Sequence, residues 1–159
     1  MEEQKNMEKY EAYKSMKVNL SKAIKSGFYY EAIFIEYAII EDRCLSVLLC
    51  AGIECYDKKG FPIMISKKLN LLRSHPIFTT PYVRKRITLD FLTEIEEWKR
   101  QRDKMVHDLA DLPYDPETVK SIAEHGKEVV RQLDNKVKSI NRYLKKQKEE
   151  SSCPSNTNG

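Results

Sequence analysis

The chain has 159 residues, 41% hydrophobic and 33% charged, with five glycines and a net charge of +4. That length can bury one core, and the balance fits a soluble helical domain rather than a disordered or fibrous chain. The opening Met1-Glu2-Glu3-Gln4-Lys5 carries no secretory signal pattern. The greasiest stretch, Phe28 to Ile53, is interrupted by Glu31, Glu36, Glu41, Asp42 and Arg43, which excludes a membrane span. Cys44, Cys50, Cys55 and Cys153 form no CxxC pair, so free thiols and a cytoplasmic location are expected.

In chain order, Met7, Tyr10, Tyr13, Met16, Leu20 and Ile24 recur at three- and four-residue steps and predict a helix over Glu3 to Lys25, stopped by Gly27. Phe28 to Ala51 is apolar almost all round and predicts a central helix with neighbours on several sides, ended by Gly52. Within it, Glu36 and Arg43 share a face. They fit either a solvated strip or intrahelical ion pair, or a carboxylate held near a basic active site. A short helix is expected over Ile65 to Ser74, with Ile65, Leu69 and Leu72 inward and His75 marking its end before Pro76.

A fourth helix is expected to start at Thr80-Pro81, its inward stripe running Ile87, Phe91, Ile95, Trp98, Met105 and Leu109. The gap in that stripe falls on Arg102, and a core-facing arginine calls for a partner. Asp115 and Pro116 read as N-cap and first helical residue of the last helix, whose stripe is Val119, Ile122, Gly126, Val129, Leu133, Val137, Ile140 and Leu144. No strand alternation appears. The expected fold is all-α, an antiparallel bundle of four long helices plus one short helix over residues 1–150, followed by a disordered tail over 151–159.

From Lys58 to Leu89 there is no acidic residue, while basic residues alternate with Phe61, Phe78 and Tyr82. Ammonium and guanidinium groups suit phosphates, and rings suit stacked bases, so Lys67, Lys68, Arg84, Lys85 and Arg86 are candidate RNA-binding residues. The other reading is a solvated basic surface over core aromatics.

The densest chemistry is Trp98 to Ala110. On a helix Arg102 and His107 lie about 7.5 Å apart along the axis and roughly 140° apart in azimuth. Asp103 and His107 share a face at i, i+4, so the aspartate could hold one ring nitrogen and leave the other for proton transfer. An imidazole and a guanidinium around one phosphate can cleave RNA without a metal. The first moves protons, and the second stabilises charge on the pentavalent phosphorus. A two-fold dimer would supply two histidines for the two proton transfers. Arg100 is a rival arginine, and Arg102 could instead pair with Glu36 or Glu41 while His107 merely caps the helix.

Arg102-Asp103-Lys104-Met105-Val106-His107 resembles the R-polar-x3-H form of the Rx4–6H motif of HEPN domains. The helix around Tyr30-Glu31-Ala32 and Ile40-Glu41-Asp42-Arg43 is similar to that family's long early helix. The resemblance implies a HEPN-like helical homodimer and a metal-independent endoribonuclease with no cofactor. Its catalytic residues would be Arg102, Asp103 and His107. It also implies a toxin or phage-defence effector with an antitoxin or defence-system partner protein, although Leu109 stands where antitoxin-paired members carry a tyrosine. The reading from another class is a non-catalytic helical module that binds RNA, nucleotide or a protein through its basic face.

Overall fold

Stripe periodicity, glycine stops and proline starts translate into seven helices among the described residues. They are α1 (Glu2–Lys25), α2 (Tyr29–Cys50), α3 (Ile65–Ser74), α4 (Pro76–Thr79), α5 (Pro81–Arg84), α6 (Leu89–Asp108) and α7 (Pro116–Ser152). The structure, a computed structural model, describes residues 1–111 and 113–152. The fold is all-α, and among the described residues the only β pairing is an isolated bridge between Tyr56 and Pro62. No described helix is long and apolar enough to cross a membrane. α7 runs to Ser152, two residues past the expected boundary, and the rest of the expected tail lies outside the described residues.

Contacts divide the chain into two units. Unit 1 comprises Met1–Asp42 and Thr93–Gln132; unit 2 comprises Arg43–Leu92 and the chain from Leu133 on. α2, α6 and α7 therefore each give a segment to both.

Unit 1 takes α1 and the first part of α2, with most of α6 and the first half of α7. α1 and α2 end alike: Phe28 N–H reaches back to the Ala23 carbonyl and Ile53 N–H to that of Leu48, with Gly27 and Gly52 at φ 73° and 77°. These back-bonds satisfy carbonyls that a helix end leaves open. In the α1 stripe Tyr13 and Leu20 are buried and Met16 and Ile24 half-buried, while Met7 and Tyr10 are exposed. α2 is not enclosed all round as its composition suggested. Ala32, Ile33, Glu36, Ile39 and Ile40 are buried, whereas Tyr30 and Phe34 face outward. Asp115 caps α7 as expected, its carboxylate accepting from Thr118 N–H at 3.1 Å.

Unit 2 holds the second part of α2, the three short helices and the second half of α7. Ile65, Leu69 and Leu72 are buried as expected, and so are Val137, Ile140 and Leu144 of α7. The helix expected to run unbroken from Thr80 is in fact split. α5 stops at Arg84, and a new start follows at Thr88, whose Oγ accepts from Phe91 N–H at 3.1 Å. The competing threonine cap explains the split, and the stripe runs across the break because Ile87 and Phe91 are buried on either side of it.

Candidate functional site

Trp98 anchors the α6 end of unit 1. It is fully buried, and its indole N–H donates to the Ile122 carbonyl of α7 at 3.0 Å. Met105, two turns later, is buried as well. Arg102, between them, is neither inside nor free. Its side chain is 18% exposed, and its guanidinium carbon lies 4.3 Å from the Tyr37 ring centre and 5.6 Å from that of Phe34, both on α2. Arg102 Nη1 donates to Asp103 Oδ1 at 3.0 Å, and its buried Nε has no hydrogen-bond partner among the described residues. Cation–π contact with a half-covered ring, about 1 kcal/mol, fixes the guanidinium plane without neutralising it.

Asp103 gives its other oxygen to Lys99. Burial pushes the Asp103 carboxyl upward, but hydrogen bonds from Lys99 and Arg102, and their charges, outweigh it and hold the group below its usual range. The expected bond from Asp103 to His107 is therefore replaced. Lys99 sits one turn before the aspartate on the same face, and an ammonium and a guanidinium are stronger donors than an imidazole N–H. Asp103 positions Arg102. His107 is exposed in the last turn of α6. The rival Arg100 is exposed and bonded to Glu97.

Arg102 does not pair with Glu36, whose two carboxyl oxygens have no hydrogen-bond partner among the described residues and which is fully buried. Nor does Glu36 form an intrahelical pair; Arg43 lies 3.9 Å from Asp134 instead. The Glu36 carboxyl occupies a notch at Gly126 of α7. A Cβ there would stand 2.6 Å from both Glu36 Cδ and Trp98 Nε1. Burial raises the Glu36 pKa to about 9, against a smaller opposing pull from Lys127. Sequence reasoning missed this pair, although a glycine in the clearest apolar stripe was its signal.

The five candidate RNA-binding residues do not form one surface. Lys67 and Lys85 are exposed, but Lys68 is only 1% exposed and is withdrawn from any such role. Arg84 donates to the carbonyls of Leu72, Arg73 and Ile87, closing the α3 end that His75-Pro76 leaves open. Arg86 donates to Ser139 Oγ at 3.0 Å and to the Tyr82 carbonyl, and lies over the Tyr82 ring, which stacks on Tyr143 at 3.9 Å. Unmet carbonyls and ring faces inside unit 2 thus take up both arginines.

Beside α6, a cleft of about 570 Å³ is lined by Gln101, Lys104, Tyr114, Thr118 and Ser121. On its rim Asp108 accepts from Lys104 and, at 3.2 Å, from the Tyr114 hydroxyl. Among the described residues no three His, Cys, Asp or Glu side chains group as a metal site. Comparison with protein-family models, curated proteins and solved structures finds no match to this chain.

Proposed function

We propose that the chain is a cytoplasmic HEPN-type endoribonuclease, a homodimer of HEPN-like bundles serving as a toxin or defence effector with a cognate partner protein. One observation carries the reading. The Arg102 guanidinium is held on Tyr37 and tethered by Asp103, and exposed His107 follows five residues later on the same helix. In this chemistry the 2′-oxygen of RNA attacks phosphorus while one His107 imidazole takes its proton. The P–O5′ bond breaks, and the second protomer's imidazolium protonates the departing oxygen. The products are a 2′,3′-cyclic phosphate and a 5′-hydroxyl. Arg102 stabilises the charge on the phosphorane oxygens.

The test is incubation with RNA in EDTA. Wild type is expected to leave cyclic-phosphate ends, with cleavage reduced about 10²- to 10⁴-fold by His107→Ala and about 10²-fold by Arg102→Ala. Equal cleavage by all three proteins, or none by wild type, sinks the assignment. The commitment of Asp103 to Lys99 and Arg102, which leaves His107 without that orienting carboxylate, favours a second reading: a non-catalytic module binding RNA, nucleotide or a protein. It expects binding without turnover.

A further inference from the structure

With Lys68, Arg84 and Arg86 committed inside unit 2, the solvent-facing cationic chemistry of the acid-free segment shifts to its beginning. Residues 55–63 form a tight turn. Asp57 N–H donates to the Phe61 carbonyl at 2.8 Å, and Ile63 N–H to that of Cys55 at 2.8 Å. One oxygen of the exposed Asp57 carboxylate, Oδ1, braces it, accepting from Lys59 N–H at 2.8 Å and Phe61 N–H at 3.0 Å. Gly60 turns the chain at φ 82°, a conformation that side-chain-bearing residues rarely adopt. Buried Cys55 roots the turn.

What this frame holds outward is unusual. Phe61 is 64% exposed and Tyr56 42%, with Lys58 and Lys59 exposed between them in sequence. Exposed Lys67 follows on the first turn of α3, and the nearest acid in sequence outside the turn is Glu54. Two exposed rings on a turn braced by backbone bonds, with lysines beside them in sequence, match what single-stranded nucleic acid requires. Bases offer π faces, and the backbone offers phosphates. A double helix keeps its bases stacked away from such rings.

We infer that the turn at residues 55–63 is a binding site for single-stranded RNA, in which Phe61 and Tyr56 stack on bases and Lys58, Lys59 and Lys67 contact phosphates. The inference rests on the RNA reading above, but its test does not depend on cleavage. The probe is a fluorescently labelled single-stranded oligoribonucleotide, 2′-O-methylated so that no 2′-hydroxyl can attack, titrated with the full chain and followed by anisotropy. Phe61→Ala is expected to weaken binding about tenfold. Lys58→Glu with Lys59→Glu is expected to weaken it more and to lower the slope of log affinity against log salt by about 1.4. Both variants change exposed side chains, and unchanged thermal unfolding verifies that the fold is intact.

Wild-type affinity in both variants, or no binding by wild type, overturns the inference. So does an equal Phe61→Ala loss with base-free polyphosphate or duplex RNA, which would make the turn a general anion surface or a protein-docking knob. If natural RNA is left uncut while these binding losses appear, the ribonuclease reading alone fails.

Discussion

Two carboxylates on helices of unit 1 meet opposite surroundings. Glu36 of α2, in its notch at Gly126 of α7, is fully enclosed with no hydrogen-bond partner among the described residues, and holds its proton up to about pH 9. Asp103, on the half-covered strip of α6, takes two cationic donors and stays ionised below the ordinary carboxylate range. Both feel desolvation, so burial alone does not decide the outcome. Donors do: burial without them neutralises an acid, and partial burial with two of them fixes its charge. The first region is a piece of core that happens to be polar. The second is a charged cluster on a partly covered helix face.

The largest expected effect breaks the interior side of this contrast. Glu36 keeps its proton in the folded state while the unfolded chain loses it near pH 4.5, so the folded state binds more protons between the two values. Stability from this group is complete below the unfolded pKa and falls as pH rises toward 9, by about 1.4 kcal/mol per pH unit. Glu36→Gln keeps the shape and removes the titration. In chemical denaturation the wild type should lose roughly 3 kcal/mol more than the variant between pH 6 and pH 8. Parallel pH slopes for the two proteins would show that Glu36 is not held neutral.

A smaller effect tests the notch itself. Exchanging a mid-helix glycine for alanine ordinarily gains about 1 kcal/mol. At 126 the new methyl would collide with the Glu36 carboxyl and with an indole locked on Ile122. Gly126→Ala should therefore destabilise by about 2 kcal/mol. Combined with Glu36→Ala, it should cost less than the two single effects sum to. A Gly126→Ala protein more stable than wild type would mean the space is there without the carboxyl.

Much of the framework was legible in the residues because it rests on local rules. The α7 stripe, the Asp115-Pro116 start and the glycine stops of α1 and α2 each depend on neighbours in sequence. What escaped depends on partners far along the chain. Arg84 and Arg86 read as surface charge because nothing in their own segment reveals the carbonyls of Leu72 and Arg73 or the Ser139 hydroxyl that claim them. The break between α5 and α6 escaped because Ile87 and Phe91 keep the period across it, though Thr88 ahead of Asp90 was a cap signal. At the site, the stripe marked Arg102 as a core-facing arginine in need of a partner, and its side chain is largely covered. The stripe did not mark its ring partner Tyr37, nor the preference of Asp103 for Lys99 over His107.

The smallest effect sharpens the surface side. Asp103 has its pKa lowered on folding, so it adds stability above its unfolded value that is lost as pH falls through the folded one. Its side chain is one-third exposed, and solvent screening limits the pair to about 1 kcal/mol or less. Asp103→Asn should remove that acid limb and leave the alkaline fall caused by Glu36 intact, as read by denaturation from pH 3 to pH 8. On the RNA reading it should also lower kcat a few-fold with KM nearly unchanged. Arg102 loses one tether but keeps its seat on Tyr37, and Asp103→Glu should restore part of the loss. If Asp103→Asn altered the alkaline limb instead, the two carboxylates would be one coupled system, and the separation of a neutral core acid from a charged surface acid would collapse.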